Sequence, residues 1–218
     1  MNEQIQSTYD TSSGQLKNVG TSPSKTFVYN TTSTMDINKP KTELLPLYNE
    51  HNPLLSKRMP EVNFSTPPKD LKELAERLIA TMNHYGGAGL AANQCGVVCR
   101  MFVMAGGIIV INPTILELSN DTTREKEGCL TFPGLILPVV RSTSIKVSFY
   151  DLDGQKQEVT YSGATARVFQ HEYDHLEGKT YTSKVGSLTL QMAKKKKQKL
   201  FKKMTRIVEY KQRMRSQS

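Results

Sequence analysis

No apolar run in the chain approaches the roughly 18 residues that a membrane-spanning helix requires. The N-terminus also lacks the charged-then-apolar layout of a secretory signal. The expectation is a soluble protein without a membrane span. Cysteine is scarce: Cys95, Cys99 and Cys129 form an odd set without framework spacing, which speaks against a disulfide scaffold and for a reducing compartment. No arginine precedes Arg58, and bulky apolar residues are few across residues 1–43, which are rich in Ser, Thr, Asn and Gln. Such a segment cannot bury enough surface to offset its ordering entropy, so a disordered extension is expected there. An organellar transit peptide is the competing reading. Glu3, Asp10 and Asp36, with arginine missing, weigh against it.

Histidine is also sparse, at 4 in 218 residues, yet two of them fall in Gln170-His171-Glu172-Tyr173-Asp174-His175. A helix turns about 100° per residue, so positions four apart lie about 40° apart on one face. His171 and His175 can therefore point two imidazoles at one metal ion. Glu172 follows the first of them and can stand beside the metal as a general base. The bland alternative, a solvated helix that matches a short pattern by chance, sits poorly with so few histidines. A catalytic metal needs a third protein ligand. The zinc-protease pattern H-E-x-x-H-x-x-G-x-x-H is met at Gly178 and then fails at Tyr181. Upstream stands Cys129, in Glu127-Gly128-Cys129-Leu130-Thr131; a thiolate is a strong ligand for zinc or ferrous iron, the alternative being a structural cysteine.

Length suits one catalytic domain with extensions. From Leu44 the composition turns globular. Thr66-Pro67-Pro68 reads as a helix start, and Leu71, Leu74, Ala75, Leu78, Ile79 and Met82 give that helix one apolar face. His84 reads as a surface residue near its end. The small residues of Gly86 to Asn93 let backbone approach something closely, and Gln94 offers an amide to a neighbouring site. Val98–Met104 and Ile108–Ile111, separated by Ala105-Gly106-Gly107, read as a tight hairpin. Ile145, Val147 and Phe149 mark a half-buried strand that Asp153-Gly154 turns into Gln155–Tyr161. The histidine helix is expected over Ser162–Leu176. The layout is α+β, with antiparallel β-sheets wrapped around a central metal-binding helix.

The net charge of +9 is local, because 12 of the 29 Lys and Arg but 1 of the 20 Asp and Glu lie from Lys184 onward. Leu200, Phe201, Met204, Ile207 and Val208 keep helical spacing there. Residues 188–218 are thus expected to form a basic amphipathic helix suited to nucleic-acid phosphate or an anionic membrane surface, with a solvated end as the alternative.

Gly87-Ala-Gly-Leu-Ala-Ala-Asn-Gln94, Glu127-Gly-Cys-Leu-Thr131 and Gln170-His-Glu-Tyr-Asp-His175 together resemble the three signature motifs of peptide deformylases, in order and spacing. Thr131 stands where the family usually has Ser, and Cys95 where an aliphatic residue is common. The resemblance implies a catalytic domain over residues 44–187 that hydrolyses the N-formyl group from the initiator methionine of nascent peptides. It implies one divalent ion per chain, Fe(II) with Zn(II), Ni(II) or Co(II) able to substitute, held by Cys129, His171 and His175 with water in the fourth position. Glu172 would move the proton, Gln94 and the Leu130 N–H would form the oxyanion hole, and backbone near Ala88, Gly89 and Gly128 would pair with the peptide. The expected setting is a monomer in the cytoplasm, with an organelle or an infected cell left open, and ribosomal RNA as a partner of the basic tail. Two other readings compete. One is a zinc peptidase, disfavoured by the missing downstream ligand; the other is a nucleic-acid-binding module with a dead hydrolase fold, disfavoured by the retained ligand set.

Overall fold

The structure, a computed structural model, describes residues 43–67 and 70–216. The disordered extension expected for residues 1–43 falls, but for its last residue, outside the described residues. The first helix, α1, spans Leu71–His84 and buries Leu74, Ala75, Leu78 and Met82, the face its spacing predicts. Its start differs from expectation. Asp70, not Thr66, is the N-cap, and its carboxylate accepts the N–H of Glu73 at 2.9 Å. Pro67 itself precedes a proline, which disfavours the helical region for it, so a helix capped by Thr66 could not continue through Pro67. His84 is exposed, as expected.

Five strands form one antiparallel sheet in the order β1-β2-β3-β6-β7: β1 Gly89–Ala91, β2 Met101–Met104, β3 Ile108–Leu118, β6 Ser144–Tyr150 and β7 Lys156–Ser162. The β2–β3 hairpin closes over Ala105-Gly106-Gly107, pairing Met104 with Ile108. Strand residues alternate between the two faces; β2 is buried on both, whereas β7 leaves one face exposed. Met101, Val103 and Leu90 join α1 in one core cluster. Phe102, Met104, Val110, Val147 and Phe149 join Ala166 and Phe169 of the second helix, α2 (Gly163–Leu176), in another. A separate hairpin, β4 (Thr122–Glu127) with β5 (Leu137–Ser142), is bound to α2 by side chains: Arg167 donates to the Val139 carbonyl (3.0 Å) and Gln170 to the Ser142 carbonyl (2.9 Å). Helix α2 thus lies between the sheet and this hairpin, which fixes the angular position of its histidines.

The second hairpin strand, expected over Ile108–Ile111, continues as β3 to Leu118, and β4 follows. The tail forms α3, Ser187–Ser216. Its first turns are docked: Leu190 and Ala193 pack on the cluster of Phe132, Leu135, Leu137, Val139 and Tyr181. Lys197 pairs with Glu50 at 3.1 Å. Phe201 lies against Gly134, where a Cβ would stand 3.0 Å from its ring. Beyond that point Met204, Ile207, Val208 and Tyr210 are exposed. No helix among the described residues is long and apolar enough to cross a membrane.

Candidate metal centre

One face of α2 presents His171, Glu172 and His175 inward, all buried, with the two imidazole rings 5.1 Å apart. Cys129 enters from the loop after β4, and its Sγ lies 3.3 Å from His175 Nε2. Ligand atoms of Cys129, His171 and His175 all fall within 4.8 Å of one another. Metal–ligand bonds of about 2.0–2.3 Å in tetrahedral geometry put ligand atoms roughly 3.5 Å apart, so this set fits one ion.

Glu127 orients the first histidine. Its Oε2 lies 3.0 Å from His171 Nδ1, so an Nδ1–H donated there leaves Nε2 for the centre. Arg141 grips both oxygens of the same carboxylate (2.8 and 3.0 Å), and Arg167 donates to Oε1 at 2.7 Å. Arg141 also reaches Asp174 of α2 at 2.6 Å. Burial alone would raise the pKa of Glu127; hydrogen bonds from His171 and Arg141, with their charges, reverse this and hold it well below the ordinary carboxylate range. Burial keeps His175 neutral well below the usual imidazole pKa, helped by the nearby His171 and Arg141.

Glu172 has different surroundings. Burial pushes its pKa up to about 7, against the opposing pull of His171 and Arg141. Its Oε2 is among the buried side-chain atoms without a hydrogen-bond partner. A carboxylate so placed can take up and give back a proton near neutrality.

Gln94 sits in a short 3₁₀ turn following β1. Its Oε1 accepts the Ala91 N–H at 2.8 Å, which fixes the amide's orientation. The Nε2 end then donates to Thr131 Oγ1 at 3.0 Å and lies 3.4 Å from Cys129 Sγ. The hydroxyl at position 131 therefore has a definite partner, which either Ser or Thr supplies. Cys95, the other departure from the motif, is buried in the apolar cluster under α1.

A cleft of about 590 Å³ opens onto this group, lined among others by Ala88, Gly89, Gly128, Leu130, Ile136 and Glu172. Strand β1 is the edge of its sheet at this cleft. The Ala88 carbonyl accepts the Ala105 N–H at 2.9 Å, toward β2. Backbone groups alternate in direction along a strand, so those of Gly89 face away from β2.

The structure thus brings Cys129, His171, His175, Glu172 and Gln94 to one point, with Leu130, Ala88, Gly89 and Gly128 along the cleft. Sequence reasoning passed over Glu127 and Tyr181. Glu127 appeared only as part of a motif, and its Arg141 and Arg167 partners stand 14 and 40 residues away. Tyr181 occupies the position where the zinc-protease pattern requires a ligand, and it supplies a wall instead. Its ring lies 5.5 Å from that of His171, and its hydroxyl donates to the Leu135 carbonyl at 2.7 Å.

A sequence profile of the polypeptide deformylase family matches residues 44–191. A peptide deformylase of Thermotoga maritima is 46% identical over 131 residues, covering 58% of this chain and 78% of its own length. Among solved structures, Plasmodium falciparum peptide deformylase in complex with an inhibitor superposes with a TM-score of 0.64 at 32% identity, covering 72% of this chain and 99% of that one. A class I type b peptide deformylase from Acinetobacter baumannii, with Met-Ala-Ser bound, superposes with a TM-score of 0.64 at 28% identity, covering 66% of this chain and 100% of that one.

Proposed function

Because the chain belongs to the peptide deformylase family, whose reaction is removal of the N-formyl group from N-terminal methionine, we propose that it does this chemistry with Cys129, His171 and His175 holding the metal and Glu172 moving the proton. The observation that carries this reading is the convergence of two imidazoles and a thiol within 4.8 Å, with a buried carboxylate beside them, at the edge of a sheet.

A divalent ion at this position supplies Lewis acidity and makes water ionisable near neutral pH. Everything else falls to the chain. Glu172 accepts the proton of the attacking water and returns it to the methionine nitrogen as the C–N bond breaks, so that formate and a free amine leave. Its raised pKa suits both halves of that transfer. The Gln94 Nε2, aimed by Ala91 and Thr131, donates to the formyl oxygen as charge develops there, and the Leu130 N–H is the second donor. Backbone of Gly89 on one wall and Gly128 on the other, with Ala88 beside them, pairs with the peptide as an added strand. The Acinetobacter protein binds Met-Ala-Ser, and a formylated form of that tripeptide is the substrate of choice here.

Fe(II) is the natural ion in this reading, with Zn(II), Ni(II) and Co(II) able to replace it; a thiolate and two imidazoles suit all four. The enzyme acts as a monomer in the cytoplasm. The stretch of α3 beyond Phe201 contacts ribosomal RNA through its lysines and arginines. Formate release from formyl-Met-Ala-Ser, by protein purified under nitrogen with Fe(II) or Ni(II), tests the assignment. Metal-loaded protein without turnover on that peptide would overturn it.

A further inference from the structure

Among the described residues three buried side-chain atoms lack hydrogen-bond partners; besides Glu172 Oε2, two belong to residues already joined to each other. Asn93 is fully buried in the turn that also carries Gln94. Its Nδ2 donates to the His175 carbonyl at 2.7 Å and lies 3.5 Å from the Leu54 carbonyl. Two carbonyls against the NH₂ end fix which way the amide points, because turning it over would set oxygen against oxygen. Its Oδ1 is then a buried acceptor without a donor, and His175 Nδ1 is a buried ring nitrogen without a partner. His175 Nε2 faces Cys129 Sγ. In a neutral imidazole one nitrogen carries the proton and the other a lone pair. If Nε2 is to offer a lone pair to a metal, Nδ1 must carry the hydrogen, and a buried N–H needs an acceptor.

We propose that Asn93 is a positioning residue for His175, acting on it twice. Its NH₂ holds the carbonyl of the last helical turn, and its Oδ1, across one enclosed water, receives the His175 Nδ1–H. A buried water commonly links such otherwise unsatisfied groups. The ring is thereby held in the Nδ1–H tautomer with Nε2 turned to the centre. The two histidines are set by different means: His171 by the Glu127 carboxylate, His175 by an uncharged amide from the strand side. Groups that orient a metal-ligating histidine in this way typically account for roughly 10–100-fold in metal affinity. The inference rests on the reading of His175 as a ligand.

The test uses full-length protein loaded with Zn(II), with transfer of the metal to a chromophoric chelator and long-range ¹H–¹⁵N spectra of the imidazoles as readouts. Wild type should show His175 as the Nδ1–H tautomer with a slowly exchanging proton. Asn93→Leu keeps the size but removes both polar ends; it should release Zn(II) about 10–100-fold faster and lose the protected Nδ1–H signal. Asn93→Asp retains an acceptor and loses the donor, so it should keep the Nδ1–H signal while its Tm falls. A folded Asn93→Leu protein that holds Zn(II) as wild type does, or that keeps the protected signal, overturns the proposal. Should the leucine variant not fold, loss of the signal in the aspartate variant overturns it instead. His175→Ala is run beside them: stoichiometric Zn(II) in that variant sinks the ligand assignment itself, whatever Asn93 does.

Discussion

Gly89 and Glu172 compete for one volume. A Cβ built on Gly89 would stand 2.5 Å from Glu172 Oε1 and 2.7 Å from its Cγ, so the absence of a side chain on β1 is what lets the carboxylate lie against the strand. Gly89→Ala must displace either the strand or the base. Misplacing a reacting group by about 1 Å can cost ~10² in rate. Turnover of formyl-Met-Ala-Ser by Gly89→Ala is therefore expected to fall about 100-fold with metal content unchanged. Wild-type turnover would show that the carboxylate has another place to go.

Glu172 itself should separate catalysis from metal holding. In Glu172→Gln the amide keeps the shape but cannot take the proton, so turnover should drop by ~10²–10⁴ or more while bound metal stays near one per chain. Plasma mass spectrometry beside formate release checks both halves. Loss of metal in this variant would make Glu172 a ligand.

Thiol chemistry distinguishes the three cysteines. Burial raises Cys95 and Cys99 to about 12, so both stay as inert thiols at pH 8, whereas Cys129 is part-exposed at the cleft. Native metal-free protein should take up one iodoacetamide, at Cys129, and bound Ni(II) should block it. Cys129→Ala should bind well under one metal per chain. Alkylation at Cys95 before Cys129, found by peptide mapping, would contradict this burial pattern.

Glu127→Gln removes the one negative charge shared by Arg141, Arg167 and His171. Breaking a buried ion pair on one side typically costs about 3–5 kcal/mol; Arg141 retains Asp174 and Arg167 retains Glu125, which keeps the loss toward the lower end. Denaturant unfolding should show a loss of that order, together with weaker metal binding from a less firmly held His171. An unchanged midpoint would mean that the arginines find other acceptors.

Truncation locates the useful part of the tail. Cutting after Phe201 leaves the docked turns of α3 in place, so Tm and peptide hydrolysis should stay near those of the full chain while co-sedimentation with ribosomes weakens. Cutting after Gly186 also strips Leu190 and Ala193 from the cluster under Tyr181 and should lower Tm. Undiminished co-sedimentation after the first cut would show that the basic residues beyond Phe201 do not carry the binding.

The helix of His171 and His175 was legible because helical periodicity acts within one turn, and β2, β3 and β6 because their buried residues recur at short range. Strand β4 was not. Its residues Thr122 to Lys126 are all exposed, so no apolar alternation marks them, and only pairing with β5 makes them a strand. The start of α1 was misplaced for a related reason: Thr66 and Asp70 are both good caps in isolation, and the two prolines decide between them. The histidine pair could be read from spacing and Cys129 joined to it by the motif resemblance, yet what aims them could not. Glu127, Arg141 and Asn93 act through partners distant in sequence, and the roles of such partners come from the fold.

Strand β1 is three residues long and lies at the edge of its sheet, in a cleft. Exposed strand edges usually invite other sheets and hence aggregation, and proteins limit them by making them short or covering them. Here the recess does both tasks at once. In the proposed reading, the cleft of about 590 Å³ takes one extended peptide terminus along this edge. The proposed function thereby acquires a timing: a polypeptide would be a substrate while its first residues are still unpaired.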